Sequence, residues 1–299
     1  MPSHTCPVCK SPNTQAVFSA VTDYTVSHEN FEIWHCANCL HRFTANPPAQ
    51  HAIGKYYQSE DYISHSNTKK GLFNQVYHLV RNYMLGQKRS MIQAVTGKKT
   101  GKLLDIGCGT GAFLATMKAA NWEVTGLEPD AGARQQVADL QGIKALPSEE
   151  LFTLMEKQFE VISMWHVLEH VHEIDKYAQQ IHKILKDEGC FVVAVPNYTS
   201  ADATKYQAKW AGYDVPRHLH HFSPTSMQYL MEQNGFKILT YKSLPFDSFY
   251  VSLLSEKYIH EKQRLFSGFW NGLMSWFSAF SDTKKGSSVI YIMKKAANS

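Results

Sequence analysis

The apolar positions of this chain change period several times, and those changes divide it. Over residues 72–95, Leu72, Val76, Leu79, Val80, Tyr83, Met84 and Ile92 recur near every 3.6 positions, which predicts a helix. Residues 103–106 instead form a short run, Leu-Leu-Asp-Ile, interrupted only by Asp105. A run of that length closed by glycine predicts a buried strand of a parallel sheet. Gly107, Gly109 and Gly111 follow at once, then a helical pattern over 112–120 and a second strand over 123–127. Nearer the start, 16–21 and 31–35 read as strand-like pieces of a small sheet. Residues 214–224, Asp-Val-Pro-Arg-His-Leu-His-His-Phe-Ser-Pro, obey neither period. A further stretch, 266–280, is dense in aromatic residues.

Composition narrows the class. With 44% apolar and 19% charged residues in a chain of 299, a globular core is affordable and disorder is not expected. A net charge of +4 is too weak for a protein built to neutralise phosphates, so nucleic acid is not the expected partner. Lys98, Lys99 and Lys102 read as a solvated turn before a strand. The first residues show no apolar leader, and no uninterrupted run of about 18 apolar residues occurs. The expected location is therefore the cytoplasm, where thiols stay reduced.

Under those conditions Cys6-Pro-Val-Cys9 and Cys36-Ala-Asn-Cys39 point to metal. Each CxxC turn offers two thiolates, and two such knuckles complete a tetrahedral sulfur shell for structural zinc. A closed four-sulfur site leaves no position for substrate, so the element is scaffold or docking surface. Its own core is small, and metal binding supplies folding energy.

The glycine-rich turn carries the most information. A strand, a glycine turn and a helix start let a ligand lie against bare backbone, and a carboxylate about 20 residues on can accept ribose hydroxyls. Glu128 stands there, at the end of the 123–127 strand. Taken alone, Gly-Cys-Gly-Thr-Gly-Ala also satisfies the dinucleotide fingerprint, which leaves a nicotinamide oxidoreductase open. Asp105 two residues before the first glycine, and glycines at alternate positions, tip the balance. With Glu128-Pro129, they make the sequence resemble the class I S-adenosylmethionine-dependent methyltransferases.

That resemblance continues through 159–171 and 183–197, which look like the family's fourth and fifth strands with the helix and turns around them. It also takes in 230–236 and a last strand over 288–293. It implies an α/β fold with a Rossmann-like, seven-stranded, mostly parallel sheet and helices on both faces, plus the N-terminal zinc ribbon. It also implies a cofactor site of Asp105, Gly107, Cys108, Gly109, Gly111, Glu128, Pro129, Trp165 and His166. The third-strand region, 142–146, lacks the acidic residue often found near the adenine, so backbone groups of Ala145 and Leu146 would replace it. The ribbon resembles a bacterial subgroup associated with modification of small molecules or cell-surface sugars. The expected acceptor is thus a small molecule or glycan, methylated at oxygen, carbon or nitrogen.

Methyl transfer needs the acceptor aligned and often deprotonated. His166, His218 and His221 are the candidate bases, because histidine titrates near neutrality. Arg217, Tyr213 and Trp210 are the candidate substrate contacts, with 214–224 read as a lid; Arg217 could equally pair with Asp214 and hold the loop shut. His166 and His170 are spaced to suit a metal, but no third ligand is evident in the sequence. The expected segments are a ribbon over 1–46, a helical bridge over 47–100 containing Tyr62 and His65, and a methyltransferase domain over 101–299 with an insertion at 245–286. The aromatic part of that insertion predicts a covering or dimer-forming helix, or one touching a membrane surface. A binding module that no longer catalyses is the third reading. The intact turn and Glu128 count against it, and oligomeric state is not legible.

Overall fold

A computed structural model describes residues 4–58 and 72–296, without the side chains of 72–77; Tyr62 and His65 lie outside the described residues. The chain separates into two compact units. One comprises 1–59, 166–177 and 194–292, the other 60–165, 178–193 and 293–299. This division crosses the expected segments: the bridge is split near residue 59, and 101–299 contributes to both units.

The first unit begins with an antiparallel sheet of β1 (Thr14–Thr22), β2 (Asn30–Cys36) and β3 (Arg42–Thr44). A fourth strand joins it from far along the chain. β9 (His220–His221) pairs antiparallel with β3, placing Arg42 opposite His221 and Phe43 opposite His220. The segment that obeyed neither period is therefore a sheet edge, held by partners remote in sequence. Beneath it Val21, Ile33, Tyr198, Tyr206, Trp210 and Tyr213 form one apolar cluster.

The second sheet has seven strands in the order β10-β11-β8-β7-β4-β5-β6. These are β4 (Lys102–Ile106), β5 (Glu123–Leu127), β6 (Ala145–Leu146), β7 (Phe159–Trp165), β8 (Leu185–Pro196), β10 (Phe236–Ser243) and β11 (Ser288–Lys295). β4 runs parallel to β5 and β7, and β5 to β6. Leu103, Leu104 and Ile106 of β4 are buried, as a central strand covered on both faces requires. The order changes direction at β4: the chain steps outward to β5 and β6, then returns to β7. That reversal is the topological switch point where open α/β sheets bind ligands.

The helices are α1 (Leu72–Thr96), α2 (Ala112–Lys118), α3 (Ala131–Gln141), α4 (Ile174–Ile184), α5 (Ala201–Tyr206), α6 (Pro224–Gln233), α7 (Asp247–His260) and α8 (Leu265–Ser281). Asp130 caps α3, its side chain accepting from Ala133 N at 2.7 Å. The insertion folds as two helices: α8 is the helix expected from the aromatic run over 266–280, and α7 precedes it.

Candidate functional site

The turn after β4 sits where the sheet order reverses. Gly107, Gly109 and Gly111 take φ values of 71°, 53° and 73°, in the left-handed region that a side chain disfavours. Two of them answer to different needs. A Cβ on Gly111 would lie 2.8 Å from Val137 Cγ1, so that glycine lets α3 pack against the turn. A Cβ on Gly109 would meet nothing within 4 Å, so that glycine leaves open space above the backbone. The turn is fastened from below: Gly107 N and Cys108 N both donate to Leu127 O, at 2.7 and 3.0 Å.

Glu128 borders the same space. Its Oε2 accepts from Gly109 N at 2.9 Å and its Oε1 from Asp130 N at 3.0 Å. Each oxygen keeps a second lone pair for a ligand hydroxyl. Burial raises the Glu128 pKa, while the two amides pull it back. Asp105, at the end of β4, is buried and accepts from Ser163 Oγ of β7 at 2.6 Å. Burial lifts its carboxyl to about 7, against the opposing pull of Ser163 and Lys88. Arg134 Nη1 donates to the carbonyls of Glu128 and Pro129, fixing the Glu128-Pro129 corner. Trp165 closes β7. Its ring meets Phe113 edge-on at 5.5 Å, Lys88 Nζ lies 4.0 Å from its centroid, and its buried Nε1 has no hydrogen-bond partner. Cys108 is buried beneath Gly126, its thiol pushed up to about 12 first by burial and then by Asp105 and Glu128; it is packing, not a nucleophile. The turn, the open space over Gly109, the acceptor pair of Glu128 and the orphaned Trp165 N–H together fit a ligand carrying a ribose.

The first unit holds a separate charged cluster. His166 adopts φ 57°, which costs a non-glycine residue about 1 kcal/mol. Its Nε2 lies 3.0 Å from Asp247 Oδ2 and its Nδ1 3.4 Å from Glu169 Oε1. Burial opposes its charge, but the two carboxylates overcome that and raise its pKa to about 10. At neutral pH His166 is thus an imidazolium, which can donate and stabilise negative charge but cannot act as a base. Asp247, remote in sequence, was not among the sequence candidates.

Asp247→Asn should bring the His166 pKa down. The folded value lies above the ordinary 6.5. The stabilisation is therefore complete below about pH 6.5 and fades as pH rises through about 10. An NMR titration of the His166 ring protons checks this: the wild type should stay protonated through neutrality, and the variant should titrate at lower pH.

The remaining candidates lie inside the structure. His221 is buried, its Nε2 3.1 Å from Thr44 Oγ1 and its ring edge-on to Tyr213. Burial, with His218, His220 and Arg42 nearby, holds its pKa well below the usual value. His218 sets Nδ1 2.9 Å from Gly212 O. That carbonyl only accepts, so Nδ1 carries the proton. Nε2 of His218 then faces Asp214 at 3.9 Å. A ligand-capable group of His218 also lies within 4.8 Å of groups on Glu169 and His170. His220 bridges His41, at 3.0 Å, and Val171 O, also at 3.0 Å. In place of a solvent-facing lid base, His221 and His220 tie the edge strand to its neighbours.

The expected substrate contacts are likewise engaged elsewhere. Arg217 is 1% exposed and bonds Asp214 through Nε and Nη2, Asp23 Oδ1 at 2.9 Å and Tyr56 O at 2.8 Å. Trp210 Nε1 donates to Asp202 at 2.8 Å, and Tyr213 Oη accepts from Arg42 Nη1 at 2.7 Å. Each of the three thus already has a polar partner within the protein. Asp23 was also unforeseen: an acid in the ribbon carries no local sign that its partner is Arg217. Replacing Arg217 by Met removes the cation shared by buried Asp23 and part-buried Asp214 and should cost about 3–5 kcal/mol, read from the urea midpoint. Arg217→Lys should recover only part, because lysine lacks the planar fork.

The four cysteines converge. Cys6 Sγ lies 3.6 Å from Cys39 Sγ and Cys9 Sγ 3.4 Å from Cys36 Sγ, with all four within 4.8 Å of one another. A zinc ion with Zn–S bonds of about 2.3 Å separates its ligands by about 3.8 Å, so the cluster has the required size. Both knuckles share one geometry: Lys10 N returns to Cys6 O and Leu40 N to Cys36 O, each at 3.0 Å, and Lys10 and Leu40 both take φ 58°. The residues fit structural zinc.

Comparison with known proteins agrees with this picture. A family model described as a methyltransferase domain matches residues 80–241. A ubiquinone biosynthesis O-methyltransferase of Rickettsia bellii is 22% identical over 204 residues, covering 62% of this chain and 82% of that protein. The Bordetella bronchiseptica protein of the same name is 36% identical over 89 residues, which is 27% of this chain and 36% of its own length. Among solved structures, one described as a candidate sarcosine dimethylglycine methyltransferase from Galdieria sulphuraria superposes with a TM-score of 0.51 at 14% identity. The match spans 73% of this chain and 86% of that one. The cyclase SpnF superposes with a TM-score of 0.50 at 17% identity, over 71% and 82%. At such identities the structural likeness establishes the Rossmann-like fold alone.

Proposed function

The chain belongs to the methyltransferase-domain family, and from that premise we propose that it methylates an oxygen of a small-molecule acceptor, using S-adenosylmethionine. It is an S-adenosylmethionine-dependent methyltransferase with a four-cysteine zinc site, and the oxidoreductase and non-catalytic readings fall away. The observation that carries the cofactor assignment is the open space over Gly109 beside the paired oxygens of Glu128. Oxygen as the attacked atom is supported by the names of the relatives, which are O-methyltransferases.

When bound, the cofactor supplies a methyl group already activated by a sulfonium, so the protein has to align it and manage charge. Glu128 would accept the ribose hydroxyls, and Asp105, Gly107 and Gly109 would hold the methionine part. Trp165 would donate its orphaned N–H, Pro129 would flank the adenine, and the backbone of Ala145 and Leu146 would complete that side. His166 follows β7 directly in the chain. As an imidazolium it would stabilise the alkoxide that develops as the acceptor hydroxyl loses its proton. Its partner Asp247, whose side chain is 30% exposed, would take that proton. His218 and His221 would position the chain around this group rather than touch the acceptor.

Among the described residues no helix is long and apolar enough to cross a membrane. None of the six cysteines is in a disulfide, which supports a reducing compartment, and we place the protein in the cytoplasm. The test is transfer of a labelled methyl group from S-adenosylmethionine to panels of hydroxylated, sugar and amine acceptors. Labelling of hydroxylated acceptors supports the reading. Labelling confined to amines would overturn the oxygen assignment while leaving the enzyme class intact.

A further inference from the structure

Helix α8 is amphipathic in the inverse sense. Its buried positions are Gly268, Asn271, Gly272, Ser275 and Ala279. Its outward positions are large and apolar: Phe266 is 84% exposed, Phe280 71%, and Phe269, Trp270, Met274 and Phe277 each between 54% and 55%. This orientation is locked. Added Cβ atoms on Gly268 and Gly272 would lie 2.7 Å from Leu253 Cδ2 and Phe249 Cα, so α7 and α8 meet almost backbone to backbone. Asn271 Nδ2 donates to Tyr206 Oη and Glu256 Oε1, both at 2.9 Å, and Ser275 Oγ donates to Asp202 Oδ1 at 2.7 Å. Turning the aromatic face inward would strand those polar groups. The fold thus holds a broad apolar stripe in water, which soluble surfaces avoid.

We propose that α8 is an interfacial helix that seats the protein on an anionic lipid bilayer, lying in the plane of the surface with its phenylalanines and Trp270 in the headgroup boundary. Seventeen residues of helix reach about 25 Å, too short to span but suited to lying flat. The exposed residues are phenylalanines with Trp270 and Met274, and interfacial helices carry Trp, Phe and Leu on the face they bury. Charge selects this occupant over a second copy of the chain. No charged residue occurs within α8, and each end is flanked by two exposed basic residues against one acid: Lys262 and Arg264 with Glu261, Lys284 and Lys285 with Asp282. Pairing two copies along this face, parallel or antiparallel, brings basic ends together. Anionic headgroups instead neutralise both ends.

Vesicle flotation tests this with the whole zinc-loaded chain and two lipid mixtures, phosphatidylcholine alone and phosphatidylcholine with about one-third phosphatidylglycerol. The wild type should float with the anionic vesicles. The double variant Phe266→Ser, Phe277→Ser should lose at least about tenfold in partitioning, with its circular dichroism and zinc content unchanged. Lys262→Glu with Lys285→Glu should reduce the preference for anionic lipid and leave the fold intact. A wild type that floats with neither mixture overturns the proposal. So does vesicle binding that the double serine variant does not weaken, or a dimer in sedimentation that this variant splits. The outcome is independent of methyl transfer, since the proposal rests on α8 and its flanks alone.

Discussion

Glu128→Ala should weaken binding of S-adenosylhomocysteine by about two orders of magnitude. The carboxylate is placed to accept ribose hydroxyls, and hydrogen bonds to a charged group are worth about 1.5–3 kcal/mol each. Losing about 3 kcal/mol is a factor of about 100 in Kd. The substitution also removes the acceptor for Gly109 N and Asp130 N, which loosens the turn that shapes the open space. Calorimetry on both proteins reads the effect directly, with NADH as a control ligand that neither should bind. Equal affinity in the two proteins would falsify the ribose assignment. NADH binding to the wild type would return the glycine turn to the dinucleotide class it formally matches.

Removing zinc should do more than melt the ribbon. Cys36→Ser, or a strong chelator, breaks a sulfur shell of the size zinc requires, and structural zinc binding can supply about 10 kcal/mol of folding free energy or more. β9 is the fourth strand of the ribbon's sheet, so the loss should spread along the chain to residues 218–222. Thr44 bonds His218 O at 2.7 Å and His221 Nε2 at 3.1 Å, His41 bonds His220, and Asp23 bonds Arg217. Every one of these partners lies in the ribbon. Hydrogen exchange should show amides 218–222 losing protection together with β1–β3, while Leu103–Ile106 of β4 stay protected. Protection of 218–222 that survives chelation would mean that the edge strand holds without the ribbon. Joint loss of protection would instead give zinc a role beyond its own knuckles, as support for the sheet that β9 joins.

What could be read from the chain alone is whatever depends on near neighbours. The two CxxC knuckles, the β4–turn–α2 unit and Glu128 at the end of β5 each follow from local spacing, because one tight turn or one strand exit presents those groups together. The helical period over 72–95 and the buried run over 103–106 likewise appear as α1 and β4. Tertiary structure alone decided the histidines and the arginine. Arg217 and Asp23 stand 194 positions apart, and His41 and His220 stand 179 apart. No periodicity records such pairings. The loop's polar residues therefore looked free to meet a substrate, whereas burial required each to find a partner within the fold. His166 is the sharpest case. Sequence marked it as a base because free histidine titrates near neutrality, and only the approach of Asp247 and Glu169 makes it a fixed cation. Which side chains sit at a turn is a local property. Which charges surround them is set by how distant segments pack, and that is where this protein's protonation chemistry is decided.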